Sequence, residues 1–417
     1  MTDRTALFRL LLIVGAGIAA AFVTGVTKVV LVVAAIILMI MLHELGHFLT
    51  AKWAGMKVTE YFLGFGPRLW SIRKGETEYG VKAIPAGGYV KIVGMSNIEQ
   101  VDPEDEPRTY RAKPYWRRLS VAVAGSTVHM ILAFLLLYVL FTAVGTIDYD
   151  RELPQIGTIS RLEDGPSPAQ KAGFQVGDRL VAYDGTTFTD WDSLRAHIRA
   201  RPGQTITFEI ERDGAPRTIA VTPTNLAEVK VEGGGPLIED DKPYGFVGIG
   251  PDFAVEKAGP GDAVGKTAAG IGRGVVETVK ALGRIFSPSG VSKYTEELTG
   301  ERGSTRVDPD APRFLSPVGF VRVAGQAADQ GWRAVLVLLV TINLFVGVFN
   351  MVPLLPLDGG HVAIATYEKL RSRPGRPYRV DVRKVMPVAY AVFLLLVFIG
   401  VTSIYLDIVK PMANPYQ

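Results

Sequence analysis

Residues 29–53 read VVLVVAAIILMIMLHELGHFLTAKW, an apolar run that ends in His43-Glu44-Leu45-Gly46-His47 just before Lys52. On a helix, positions i and i+4 lie on one face one turn apart, so both imidazoles can grip a single divalent cation. Glu44, between them, is placed to act as general base on water. Five residues of pattern are few enough to arise by chance, and a satisfied pair of interfacial histidines is the bland alternative. The setting favours chemistry: three ionisable side chains at the end of an apolar span are costly and seldom kept without function.

The chain is 417 residues long, with 48% hydrophobic and 21% charged residues. That composition excludes a disordered or nucleic-acid-binding polymer and disfavours a purely soluble enzyme. No nucleic acid partner is expected. The apolar residues concentrate near 10–42, 121–145, 333–356 and 386–408, each block long enough or nearly so to cross a hydrocarbon core of ~30 Å. The first block holds 33 positions with one charge, Lys28. A helix of that length runs ~50 Å, too long for one upright span, so two spans, about 10–26 and 29–50, are expected. A cleaved signal peptide is the rival, because Arg4 and Arg9 precede the apolar stretch, but no convincing small-x-small cleavage site follows.

The loop 52–118 carries twelve Lys/Arg and the loop 369–384 carries seven, so both are expected on the cytoplasmic side. The segment 146–330 has 21 basic and 27 acidic residues, net −6, and is expected outside. On this topology the spans 29–50 and 333–356 both run inward and end at the same depth.

That depth supplies a third ligand. A catalytic zinc site takes three protein ligands and keeps one position open. The chain has five histidines and no cysteine, which removes thiolate ligands, disulfides and thiol catalysis. Asn350-Met351-Val352-Pro353-Leu354-Leu355-Pro356-Leu357-Asp358-Gly359-Gly360-His361 places a carboxylate at the end of the second inward span, in a run broken by two prolines. Asp358 is the candidate. Helix capping is its alternative role, and His361 is an alternative ligand, read here as a histidine outside the metal's own ligands or at the surface.

Between the spans, strand-like runs (155–160, 179–183, 205–212, 217–223) alternate with turn signals such as Asp184-Gly185 and Asp213-Gly214, with a helical stretch at 190–201. An acidic, Gly-rich linker (226–243) and a strand-like 246–250 follow. The stretch 263–286 has apolar residues at Val264, Ala268, Ile271, Val275, Val279 and Leu282, which fits a helix lying on a membrane or on neighbouring spans, with a soluble core helix as the alternative. Residues 287–313 read as a mobile loop.

The pair His-Glu-Leu-Gly-His and Leu357-Asp358-Gly359-Gly360, each on a membrane span with a soluble module between them, resembles the site-2 protease family of intramembrane zinc metalloproteases, nearest to the bacterial regulator-of-sigma-factor type. The likeness extends to Gly64-Phe65-Gly66-Pro67 and to Gly80–Met95 with Pro85-Ala86-Gly87-Gly88-Tyr89. It implies one Zn²⁺ per chain held by His43, His47 and Asp358, with Glu44 as catalytic base. It also implies a re-entrant hairpin at 80–95 and substrate contacts at Asn350, Pro353, Gly87, Gly88 and Tyr89. The module at 153–224 is similar to a PDZ domain through Ala172-Gly173-Phe174, Gly177-Asp178-Arg179-Leu180 and Asp184-Gly185. A single Gly-Asp-x-Leu motif implies one such domain, taking a peptide segment as ligand or acting as a spacer. Three departures stand out: the segment 1–27 is extra, the soluble middle is short, and Gly125-Ser126-Thr127-Val128-His129 stands where relatives often show Gly-Pro-x-x-Asn. His129 is read as filling that polar role, as a neighbour of the metal site or as a buried contact between helices.

The expected fold is therefore a polytopic α-helical membrane protein with a membrane-re-entrant β-hairpin and an inserted extracytoplasmic PDZ-like α+β domain. Its expected divisions are an extra apolar segment (1–27), membrane helices at 28–53, 119–146, 332–364 and 386–408, a cytoplasmic-side region at 54–118, the PDZ domain at 150–226, a linker with amphipathic helix and loop at 227–331, and a basic loop at 365–385. The implied function is hydrolysis of peptide bonds within transmembrane segments of proteins such as anti-sigma factors, in a bacterial plasma membrane, with the active site towards the cytoplasm. A binding scaffold has no need of Glu44, and a transporter should show paired repeats, which are not seen.

Overall fold

The computed structural model describes residues 4–95, 99–231, 244–300, 314–373, 376 and 378–411. Two compact units emerge, Met1–Thr142 with Pro260–Tyr416, and Ala143–Gly259. The first is helical. It holds α1 (Arg4–Thr24), α2 (Thr27–Trp53) and α3 (Tyr115–Val139), the last continued by a π-helical turn, Leu140–Val144. The second unit contributes α4 (Pro168–Ala172) and α5 (Trp191–Arg199). The helical unit resumes with α6 (Pro260–Ile285), α7 (Pro288–Thr299), α8 (Pro317–Asp329), α9 (Trp332–Phe349), α10 (Asp358–Arg371) and α11 (Val382–Val409).

Five of these, α1, α2, α3, α9 and α11, are long and apolar enough to cross a membrane. Val32 and Met39 of α2 pack with Val323, Ala324 and Ala327 of α8 and with Leu338 of α9. Ile271 and Val275 of α6 pack on Ala133, Val340 and Leu344 of α3 and α9. Thus α6 is the expected amphipathic helix and packs on neighbouring spans, and α8 belongs to the same unit, in a stretch for which no helix is expected from sequence. Helix α7 also replaces part of the loop expected at 287–313. Ser287 accepts the Gly290 N–H at its N-terminus and Pro288 follows, both ordinary helix-start signals. Residues 301–313, and 232–243 of the acidic linker, lie outside the described residues.

A second correction concerns the expected span 332–364. Helix α9 stops at Phe349, and Asp358 opens a new helix. Pro353 and Pro356 lack the N–H that a continuing helix requires. The chain instead folds back, and the Gly359 N–H donates to Asn350 O at 2.7 Å. A Cβ on Gly359 would lie 2.3 Å from Met351 O, and one on Gly360 2.6 Å from Leu355 N, so the turn closes only on glycines.

The hairpin is larger than the expected 80–95. Strand β1 (Val58–Lys74) pairs with β2 (Thr77–Ile92), and residues 60–63 have β2 neighbours on both sides, 88–91 and 78–81. Among the described residues, 88–92 pair only with β1, which leaves one side of that segment open. Tyr61 OH donates to Met41 O at 2.8 Å and so pins the hairpin to α2 two residues before His43.

The second unit is an antiparallel sheet with two helices. Strands β3 (Thr146–Ile159), β4 (Arg179–Tyr183), β5 (Ile206–Arg212), β6 (Ala215–Val221) and β7 (Ile249–Glu256) lie in the order β7-β3-β4-β5-β6. Ile206, Phe208 and Ile210 alternate inward, as a half-buried strand requires. They meet Phe174, Trp191 and Leu194 in one core. Val247, only 2% exposed, joins that core, and β7 pairs antiparallel with β3. The folded unit therefore runs well past the boundary expected at 226.

Asp178 of the Gly-Asp-x-Leu motif is a structural clamp. Arg212 Nε and Nη2 donate to its two oxygens at 2.6 and 2.7 Å, and the Gln175 N–H donates at 2.8 Å. Burial pushes this carboxyl up, but the Arg212 guanidinium and the Gln175 N–H outweigh burial and hold it below the ordinary carboxylate range. A depressed native pKa gives stability that is present above the unfolded value of about 4 and is lost as pH falls through the native one. Asp178→Ala should cost about 3 kcal/mol at neutral pH, read as faster hydrogen exchange of the β4 and β5 amides in the intact chain. The difference from the parent should shrink below about pH 4; an equal difference at pH 7 and pH 3 would refute the ion-pair account.

Candidate metal centre

Helix α2 offers His43 and His47 on one face, 8% and 6% exposed, and α3 faces them. Along α3, Val121, Gly125 and His129 recur every four residues and form one stripe. Each supplies something different. Val121 supplies a carbonyl, which accepts from His47 Nδ1 at 2.8 Å. Gly125 supplies room: a Cβ there would lie 2.3 Å from His43 Cε1 and 2.5 Å from His47 Nε2. His129 supplies a third imidazole, its ring centre 5.0 Å from that of His43.

Because a carbonyl only accepts, His47 Nδ1 carries the proton and Nε2 keeps its lone pair. That lone pair meets Asp358. Asp358 Oδ2 is 3.2 Å from His47 Nε2 and 3.5 Å from His43 Nε2, and the two histidine nitrogens are 3.2 Å apart. In tetrahedral zinc sites, bonds of about 2.0–2.2 Å put neighbouring ligand atoms about 3.3 Å apart. The observed triangle has that size. Asp358 Oδ2 is buried without a hydrogen-bond partner. Acceptor atoms packed this closely call for a cation between them. The three residues fit a metal ion and form the one such group found among the described residues.

The centre stands at the wall of a cavity of about 610 Å³. Glu44, Gly87, Gly88, His129 and Asn350 line it, and Phe393 of α11 closes part of it. The backbone of β2 comes close at Gly88, where a Cβ would lie 3.0 Å from Glu44 Cγ. Of the expected substrate contacts, Asn350, Gly87 and Gly88 reach this cavity, whereas Pro353 and Tyr89 are not among its lining residues. Pro353 sits in the turn after α9. Tyr89 stacks between Phe62 and Phe65, takes a hydrogen bond from Lys82 Nζ at 2.7 Å and donates to Glu60.

His361 does not join the ligand group. It lines a separate cavity of about 390 Å³ with Tyr110, Arg118 and Glu368. Sequence reading missed Asn343, which is fully buried and bonds His129; an uncharged amide inside the apolar run 333–349 was the available signal. It also missed that Gly125 and the Val121 carbonyl serve the site, for which α3 gives no local sign.

A family model, that of Peptidase family M50, matches residues 31–397. The chain is 34% identical over 414 residues to the zinc metalloprotease Rip1 of Mycolicibacterium smegmatis, covering 92% of this chain and 98% of that one. It is 33% identical to the Rip1 of Mycobacterium tuberculosis, covering 94% and 98%. A putative zinc metalloprotease of Rhizobium meliloti is 30% identical, covering 86% and 91%. Among solved structures, the PDZ domain of an SdrC-like protein from Listeria monocytogenes matches 25% of this chain and 92% of its own at 17% identity, with a TM-score of 0.18, too low to carry an argument. A family match that spans most of the chain, and identities above 30% along nearly its whole length, place this protein in Peptidase family M50, the site-2 protease family of membrane zinc metallopeptidases.

Proposed function

We propose that this chain is an endopeptidase that cuts peptide bonds within the membrane-spanning segments of other proteins, with one Zn²⁺ held by His43, His47 and Asp358 and with Glu44 as the base. The observation that carries this is the triangle of ligand atoms, 3.2 to 3.5 Å on a side, beside Glu44 at the wall of a cavity between apolar helices. When bound by His43, His47 and Asp358, Zn²⁺ would supply Lewis acidity for the scissile carbonyl and for water. Glu44 takes the proton from the attacking water and passes it to the departing amine. His47 is held in its ligating tautomer by the Val121 carbonyl.

A transmembrane helix hides its peptide groups in its own hydrogen bonds, so the substrate must unwind before it is cut. The open side of residues 88–92 offers an unwound stretch a strand to pair with, next to Glu44. Asn350, Gly87 and Gly88 meet that stretch in the cavity. Pro353 and Tyr89 act on it indirectly, one by ending α9 and the other by anchoring β2.

The finer proposal places the centre towards the cytoplasm, because the loops 52–118 and 369–384 carry the basic residues. Residues 143–259 then form an extracytoplasmic PDZ-like module that takes a peptide segment. The hairpin is the re-entrant element. Anti-sigma factors in a bacterial plasma membrane are the proposed substrate class, on the resemblance to regulator-of-sigma-factor proteases.

Glu44→Gln should lower cleavage of a membrane-spanning substrate about 10²- to 10⁴-fold while metal analysis still finds one zinc per chain. Cleavage at the parent rate would defeat the mechanism. Gly125→Ala should lower zinc content and cleavage together, because its methyl group would occupy the space beside His43 and His47. A Gly125→Ala protein that keeps a full complement of zinc would show that α3 does not shape the site.

A further inference from the structure

His129 is 2% exposed and sits four residues beyond Gly125 on the metal-facing stripe of α3. Its Nδ1 is 2.8 Å from Asn343 Oδ1 on α9. The other end of that amide fixes which way it points. Asn343 Nδ2 donates to Leu339 O at 2.8 Å and lies 3.4 Å from Met39 Sδ. The amide oxygen therefore faces His129, and since it only accepts, His129 Nδ1 carries the proton. In the neutral ring this leaves Nε2 as a bare acceptor. Asn343 Oδ1 is the only hydrogen-bond partner of His129 among the described residues, and the ring lines the cavity that holds Glu44, Gly88 and Asn350. It is not among the grouped metal ligands.

A peptide lying extended in this cavity points its N–H groups alternately to two sides. On one side, residues 88–92 offer backbone carbonyls. On the other stand α3 and α9, whose own carbonyls are used inside their helices. An N–H left unpaired in such surroundings is costly. We propose that His129 Nε2 accepts the hydrogen bond of one substrate main-chain N–H on the wall opposite the hairpin, and that Asn343 is the positioning residue that holds His129 in the accepting tautomer. The proposal rests on the peptidase reading and adds to it a substrate contact and a specificity rule. The substrate must be unwound at that position, and the residue there must carry an N–H, which excludes proline.

The test uses the full, zinc-loaded chain and a membrane-spanning substrate peptide that it cleaves. Amides within three residues of the scissile bond are replaced one at a time by esters, which removes single N–H groups. His129→Phe keeps the ring shape and removes the acceptor. It should lower kcat/KM about 10- to 100-fold with zinc content unchanged. At one substrate position, ester or proline should slow the parent about tenfold or more and should not slow His129→Phe any further. His129→Phe cutting at the parent rate, or every ester penalty persisting in it at full size, overturns the proposal. Should His129→Phe lose its zinc, Asn343→Leu carries the same test. It frees the tautomer, so the ester penalty must shrink, and an unchanged penalty overturns the assignment. Cleavage by the parent that is lost in Glu44→Gln keeps the peptidase reading standing whichever way the His129 result falls.

Discussion

Everything at the centre depends on how closely α3 can approach α2. Two glycines set that distance from opposite sides. A Cβ on Gly46 would lie 2.8 Å from Val128 Cγ2 and 3.0 Å from Ala124 O, and one on Gly125 would strike the imidazoles of His43 and His47. Small residues let helix backbones come together inside a membrane, where packing and hydrogen bonds replace the hydrophobic drive. Here the close approach also brings the Val121 carbonyl within 2.8 Å of His47 Nδ1. Gly46 stands between the two ligands because the helices cross there.

The other half of the centre comes from folding the chain back after α9. The turn 350–357 delivers Asp358, and α10 is then anchored about three helical turns further on. Glu368 accepts from Arg118 of α3 at 2.6 Å, from Arg379 at 3.1 Å and from the Val380 N–H at 2.8 Å. Arg118 and Glu368 are each about 5% exposed on the side chain. A buried ion pair returns little net stability once desolvation is counted, but breaking one is expensive, so it fixes register. Its register is that of α10 against α3, the two helices that carry Asp358 and the stripe facing it.

How much of this could be read from sequence follows from which signals are local. His43, Glu44 and His47 lie within five residues, and their cost in an apolar span marks them. Asp358 stands out for the same reason. The end of α9 was harder: Pro353 and Pro356 show that the helix must break, but the turn is closed by the Asn350 carbonyl, which no pattern displays. Helix α8 buries Gly319, Val323, Ala324, Ala327 and Ala328 on one face, a stripe of mostly small residues that carries little hydrophobic signal, although Ser316 and Pro317 at its start are readable as a cap. Strand β7 pairs with residues about a hundred positions away, and Val247 enters a core whose other members all precede residue 222. Nothing near 246–256 announces such a partner.

The cavity wall formed by α3 and α9 explains one more sequence departure. Where relatives often carry asparagine on this helix, an imidazole occupies position 129. Asparagine can both donate and accept, whereas a neutral histidine divides the two functions between two nitrogens. Asn343 takes up the donor, so the acceptor is directed to the cavity. In the proposed function this gives the cleft two unlike walls. One is the open side of residues 88–92, with donors and acceptors in alternation, and the other is helical, with a single acceptor held in place. An extended peptide has N–H groups for both walls and a helix has none to spare, so the cleft distinguishes an unwound segment from an intact span by hydrogen bonding alone.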